Sequence, residues 1–299
     1  MMKSLTRRDF ACAIAGAALA RSSFAAQTRP ALCLFSKHLP KLNYGDLART
    51  VKQLGFDGVD LTVREEGHVL PERVTADLPR AVETIRAGGL TVPMITTGLT
   101  SASDPAAAPT LSTAGKLGVP FFKPGYWHYP DGVSIDARIA QVRKDVEGLA
   151  ALGKEHGIAV GCHNHSGNYV GAAVWDIRAI IAGIDPRWAG YYFDPCHATA
   201  EGGEAGWIIA LRMALPRIKM VAIKDFLWEK RAGKWEMSMC PLGEGMVDWP
   251  KFFKTLAAGR FTGPISMHLE YEPADEMAAL ARDFAFLRKH VDAAFRGLS

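Results

Sequence analysis

From residue 27 onward, short apolar runs alternate with longer segments whose apolar residues recur at helical spacing, and the alternation repeats about eight times. The runs are ALCLFS (31–36), GVDLTV (58–63), LTVPMIT (90–96), VPFFK (119–123), IAVGCH (158–163), GYYFD (190–194), IKMVAIK (218–224) and GPISMHLE (263–270). Near-continuous apolar runs of about five or six residues suit parallel strands covered on both faces. Helical patterns lie between them, among them Tyr44–Leu54, Leu78–Ala87, Ile135–His156 and Trp249–Ala257. Gly55, Gly88 and Gly157 follow three of these, where left-handed C-caps are expected. The body contains no linker-like stretch. The pattern predicts an α/β fold, a single (β/α)8 TIM barrel over residues 26–299. One zone departs from the rhythm: Leu227–Asp248 is polar, long for a connection, and contains Trp228 and Trp235. Such a segment is either a lid or a surface hairpin.

In this fold, ligands bind at the C-terminal ends of the strands. The stretch Gly157–Gly203 places polar residues there twice: one run ends in His163, Asn164 and His165, the next in Asp194 and His197. Strand two contributes Asp60, with Arg64, Glu65, Glu66 and His68 in its loop. Strand four contributes Lys123, followed by Tyr126, Trp127 and His128. Strand seven contributes Lys224 and Asp225; strand eight contributes Ser266, His268 and Glu270. Side chains alternate across a strand, so Ser266, His268 and Glu270 share a face, as do Gly161, His163 and His165. Taken singly, a buried His or Lys is usually a hydrogen-bonded core residue. Gathered at one barrel end, Lys123, His163, Asp194, Lys224 and Glu270 call for a compensating partner, because buried charge is costly unless paired or metal-bound. A divalent cation or an oxygen-rich substrate meets that need. The imidazole and carboxylate donors suit Mn, Zn, Co or Fe better than Ca.

Composition narrows the classes. The chain has 299 residues, 48% hydrophobic and 22% charged, within the range of a globular enzyme. The formal net charge is +4, but Lys3, Arg7, Arg8 and Arg21 against Asp9 place most of it in residues 1–25. A nearly neutral body argues against a nucleic-acid partner, which needs a concentrated basic face. Those 25 residues form a basic segment, a small apolar run (Ala11–Ala20) and small residues around Ala25, the layout of a signal peptide. The run Arg7-Arg8-Asp9-Phe10 resembles a twin-arginine export signal, which implies a periplasmic location. The apolar run is too short for a bilayer, which takes about 20 residues, so no stable membrane insertion is expected. Cys12 leaves with the signal. Cys33, Cys162, Cys196 and Cys240 have no zinc-ribbon or disulfide-scaffold spacing; Cys162 and Cys196 are expected as buried thiols, with a disulfide as the alternative.

The motifs HNHSG, DPCHATAEGG, VAIKDF and GPISMHLEYE resemble the xylose isomerase-like sugar phosphate isomerase/epimerase barrels over essentially the whole mature chain. The resemblance implies a divalent metal ion (Mn, Zn, Co or Mg) held at strands five to eight by Glu, Asp, His and Glu. It also implies a small-molecule sugar or polyol as substrate. Position by position, Asp194 fits the strand-six Asp and Glu270 the strand-eight Glu. His163 replaces the strand-five Glu, and Ala222 stands where the strand-seven His belongs. His163, Asp194 and Glu270 are thus the expected metal ligands, with His165, His197 or His268 available for the gap. Lys123, His165, His197, Lys224 and Glu270 are the expected catalytic residues, the lysines stabilising an enediolate. Trp127, His128 and His268 are the expected substrate contacts. The implied activity is isomerisation or epimerisation by proton transfer beside a carbonyl. A keto-sugar lyase or dehydratase shares its first step. A carbohydrate-binding protein that has lost part of the metal site is the non-catalytic alternative.

Overall fold

The computed structural model describes residues 29–296. The expected signal segment and Cys12 lie outside the described residues. The strands are β1 (Leu32–Phe35), β2 (Gly58–Val63), β3 (Thr91–Thr97), β4 (Phe121–Lys123), β5 (Ala159–His163), β6 (Ala189–Phe193), β7 (Ile218–Ile223) and, after a hairpin, β10 (Ile265–Met267). They close into a barrel in the ring order β1, β10, β7, β6, β5, β4, β3, β2, every neighbouring pair parallel. The eight apolar runs are these eight strands. The largest departure is the last run, where pairing stops at Met267 and His268, Leu269 and Glu270 continue into the loop above the barrel.

Among the described residues eight α-helices cover the outside: α1 (Tyr44–Leu54), α2 (Val74–Ala87), α3 (Ala107–Lys116), α4 (Ile135–His156), α5 (Val174–Ile181), α6 (Pro195–Ala214), α7 (Trp249–Ala258) and α8 (Glu276–Phe295). Local chemistry sets their ends. Asn43 caps α1 by accepting the Asp46 N–H, and Gly55 closes it in the left-handed region at φ 94°. Ser134 and Gly157 (φ 75°) bracket α4 in the same way. After α2 the left-handed residue is Gly89 (φ 75°) rather than the expected Gly88 (φ −73°).

The main core lies between strands and helices, where Leu34, Val59, Ile95, Phe122, Val160 and Phe193 are buried against the helical layer. A smaller cluster of Met94, Tyr192, Met220 and Ala222 fills the barrel interior. Gly161 belongs to this interior: a side chain there would collide with the Met220 methyl. This plug floors the barrel, and the cavity at its C-terminal mouth lies above it.

The irregular zone is an antiparallel hairpin of β8 (Asp225–Arg231) and β9 (Lys234–Cys240) rising from the end of β7. Its base is tied to Asp225, which accepts the N–H groups of Phe226, Gly243, Gly245 and Val247 and, at 2.8 Å, the Trp249 indole N–H. Cys33, Cys162, Cys196 and Cys240 are free thiols, and Cys162 and Cys196 are buried. Among the described residues no helix is long and apolar enough to cross a membrane.

Candidate active site

A cavity of about 340 Å³ opens at the C-terminal mouth of the barrel, and residues from all eight barrel strands or the loops just after them face it. Its floor is Tyr192. Its walls carry Lys123, His163, His165, His197, Lys224, His268 and Glu270, all expected from sequence.

Asp194 organises the wall below β6. It follows the strand directly and caps α6, its Oδ1 accepting the N–H groups of Cys196 (2.9 Å) and His197 (3.2 Å). The other oxygen, Oδ2, faces the site. There it meets Lys224 Nζ at 2.9 Å, His163 Nε2 at 3.2 Å and His197 Nε2 at 3.7 Å. Asn164 locks the strand ends together, accepting the Asp194 N–H and donating to its carbonyl, both at 2.8 Å. Burial by itself would raise the Asp194 carboxyl pKa. The Lys224 ammonium, then His197 and His163, outweigh it and hold the group well below the ordinary carboxylate range. The same pairing raises the Lys224 ammonium against the opposing pull of burial. Asp194 and Lys224 are therefore a buried ion pair.

That pair fixes the neighbouring tautomers. A carboxylate only accepts, so His163 donates Nε2–H to Asp194 and offers the Nδ1 lone pair to the Tyr126 hydroxyl, 2.8 Å away. Burial, against the opposing field of Asp194, lowers the His163 pKa well below its usual value and leaves the ring neutral. His165 donates Nδ1–H to the Ser166 carbonyl at 2.9 Å, which leaves its lone pair on Nε2. Its pKa is lowered as well, by burial first and then Lys224.

Across the mouth, Glu270 binds Lys37 at 2.9 Å and lies 3.6 Å from His268 Nδ1. Burial opposes its charge, but His268, Lys224 and Lys37 together lower its pKa. His268 Nε2 meets the Tyr192 hydroxyl at 3.0 Å. Beneath lies Asp60, fully buried and bonded to the hydroxyls of Thr96 (2.8 Å), Ser266 (2.8 Å) and Tyr192 (3.2 Å).

Two expected substrate contacts lie elsewhere. Trp127 is buried and donates its indole N–H to the Thr100 carbonyl, and His128 is exposed beside Asn168. The backbone turns away from the mouth after Tyr126, so both sit outside the cavity wall. Trp228 and Trp235 are 41% and 67% exposed on the hairpin, and Met237 and Met239 on β9 face the cavity instead. The zone is thus a hairpin by structure whose inner edge forms part of the cavity wall. Tyr192 was legible in principle, since it lies two residues before Asp194 on the same strand face.

The donor set does not fit a divalent cation. His163 and Asp194 are in contact, but Glu270 is held by Lys37 and His268. The Asp194 oxygen that would serve a metal already holds the Lys224 ammonium. Ala222 lies in the apolar floor with Met94 and Met220 and supplies no donor. Among the described residues no three His, Cys, Asp or Glu side chains are gathered as a metal site needs.

The family model for the xylose isomerase-like TIM barrel matches residues 48–290. An inosose dehydratase from Bacillus velezensis is 27% identical over 161 residues, 49% of this chain and 52% of that protein. The chain spans about half the length of the curated relatives it matches. Among solved structures, a xylose isomerase-like TIM barrel protein from Mycobacterium smegmatis in complex with magnesium superposes with a TM-score of 0.69 at 17% identity, covering 90% of this chain and 98% of the other. The 3-keto-D-glucoside 4-epimerase from E. coli does so with a TM-score of 0.70 at 17% identity, covering 87% and 100%. At such identities the superpositions speak for the fold. With the closed parallel barrel and the family match over most of its length, the chain belongs to the xylose isomerase-like TIM barrel family.

Proposed function

We propose that the protein is an isomerase or epimerase that moves a proton beside the carbonyl of a sugar or polyol-derived ketone, without routing charge through a metal. The observation that carries this reading is the pair of proton-transfer groups on separate walls of one cavity. His165, with its lone pair on Nε2, follows β5; Glu270, an ionised carboxylate, follows β10, with β7 and β6 between them. Either group removes the α-proton and, holding it, returns it to the neighbouring carbon; return to the opposite face uses the other group once it has taken a proton from water, which also brings solvent hydrogen into the product. The charge developing on the carbonyl oxygen faces the fixed Lys224 ammonium, preorganised by Asp194. The Tyr126 hydroxyl gives its proton to His163 Nδ1, which leaves its oxygen free to accept from a substrate hydroxyl.

The test is deuterium incorporation from D2O into a panel of ketoses and inososes, followed by NMR. Exchange with at least one compound is expected. His165→Asn and Glu270→Gln should each slow it by roughly 10²-fold or more. If no panel member exchanges, the reading fails.

A dehydratase reading has support in the similarity to inosose dehydratases. It shares the proton abstraction and then expels a β-hydroxyl as water. The same NMR spectra separate the two, since loss of water yields an alkene-conjugated ketone. We further propose that residues 1–25 direct periplasmic export by the twin-arginine route. Replacing Arg7 and Arg8 together by Lys should leave the protein in the cytoplasmic fraction; continued export would refute this.

A further inference from the structure

Two cations face the cavity with no anion to balance them. Lys123, at the end of β4, is only 3% exposed, and its ammonium rests 3.4 Å from the centroid of the Tyr126 ring. Arg64, just past β2, is half-buried, with its guanidinium carbon 5.7 Å from the centroid of the Phe35 ring. Both line the cavity. The other two cations there are matched: Lys37 has Glu270 and Lys224 has Asp194, each at 2.9 Å. Among the described residues neither Lys123 nor Arg64 has such a partner. Asp60, a carboxylate whose field reaches Lys123, spends its oxygens on Thr96, Tyr192 and Ser266. Glu65 and Glu66 are exposed.

Like charges side by side in a partly desolvated pocket repel, and an aromatic face offsets only part of the cost. The consequence is visible on Lys123, whose ammonium is held well below the ordinary lysine range by burial first and by Arg64 next. An arrangement of this kind is stable when an anion binds between the two. A guanidinium presents two parallel donors that match a carboxylate or a phosphate, and a lysine adds a third from another direction.

We infer that Arg64 and Lys123 form a subsite for an anionic group on the substrate, which makes the ligand an acidic keto-sugar, a carboxylate or a phosphate monoester, rather than a neutral one. The inference rests on the reading of the cavity as a keto-sugar site. The cavity volume lies near the lower end for small-molecule sites, about 300–1,000 Å³, and suits a single sugar unit.

The test is isothermal titration calorimetry on the purified protein with a matched series: D-fructose, D-fructuronate and D-fructose 6-phosphate. At least one acid should bind about tenfold or more tightly than D-fructose, and rising salt should erode the preference. Arg64→Gln, at a half-buried position outside the core, should bring acid and neutral sugar within about twofold of each other; an unchanged melting temperature checks its fold. Lys123→Met should act in the same direction. Preference for the carboxylate alone or the phosphate alone supports the subsite and identifies its anion. The inference is overturned if neither acid binds more tightly than D-fructose, or if the preference survives Arg64→Gln. Proton exchange is read separately. Selective acid binding without exchange would sink the proton-transfer reading and leave the subsite standing.

Discussion

The ammonium of Lys224 lies 2.9 Å from Oδ2 of Asp194, joining the ends of two neighbouring barrel strands in a buried ion pair. Asp194 uses its other oxygen to cap α6, so one carboxylate anchors a helix and holds a cation in the site at once. Removing the lysine leaves a buried carboxylate short of its main counter-charge. Lys224→Met is expected to destabilise the fold by about 3–5 kcal/mol, and Lys224→Met with Asp194→Asn to recover a good part of that. Urea denaturation of the three proteins measures it. A single-variant cost under about 1 kcal/mol would contradict the pair.

A second consequence concerns metals. With a lysine ammonium on the Asp194 oxygen and Ala222 on the neighbouring strand, no open coordination position is built. Elemental analysis of the purified protein should find no divalent metal near one per chain, and EDTA should leave the melting temperature unchanged. Stoichiometric metal with a clear loss of stability on chelation would mean that Lys224 swings away from Asp194.

The histidines set the acid limit of stability. His38 accepts the Leu269 N–H at Nε2 (3.0 Å), a bond that exists only while this nitrogen is unprotonated. Burial first, and the neighbouring His268 next, push its pKa down to about 3. The sign follows directly. Below an unfolded pKa of about 6.5 the unfolded chain takes up a proton that the folded one refuses, so stability falls as pH falls, until the folded pKa is reached. The contribution is about 1.4 kcal/mol per pH unit for each such group. Melting temperature should therefore drop between pH 7 and pH 5, and His38→Gln should flatten that slope. A wild-type profile flat over this interval would refute the assignment.

Asp225 is expected to control the hairpin. Its carboxylate gathers four backbone N–H groups and the Trp249 indole, closing Gly243–Val247 over the top of β7. In Asp225→Ala those donors lose a charged acceptor, each such bond being worth about 1.5–3 kcal/mol. Amide exchange across residues 241–248 should speed up well before global unfolding does. Exchange there unchanged from the wild type would show that packing alone holds the loop.

The sequence by itself determined the barrel, because strand and helix periodicities are local and each apolar run needs cover on both faces. It also determined which strand ends carry polar groups, since alternation puts His163 and His165, or Ser266 and His268, on one face whatever the rest of the chain does. Tertiary structure decided what those groups do. Asp194 reads equally well as a metal ligand or as a lysine's counter-ion. Only the distance to Lys224, thirty residues on, separates the two. Glu270 sits where a ligand was expected, yet its partner Lys37 comes from the opposite end of the chain. Trp127 and His128 follow a strand that ends at the mouth, but the direction of a loop is set by what it packs on, and theirs leads away. The unbalanced Arg64 and Lys123 are ordinary residues in sequence, because a missing counter-ion becomes visible only when every neighbour has been placed.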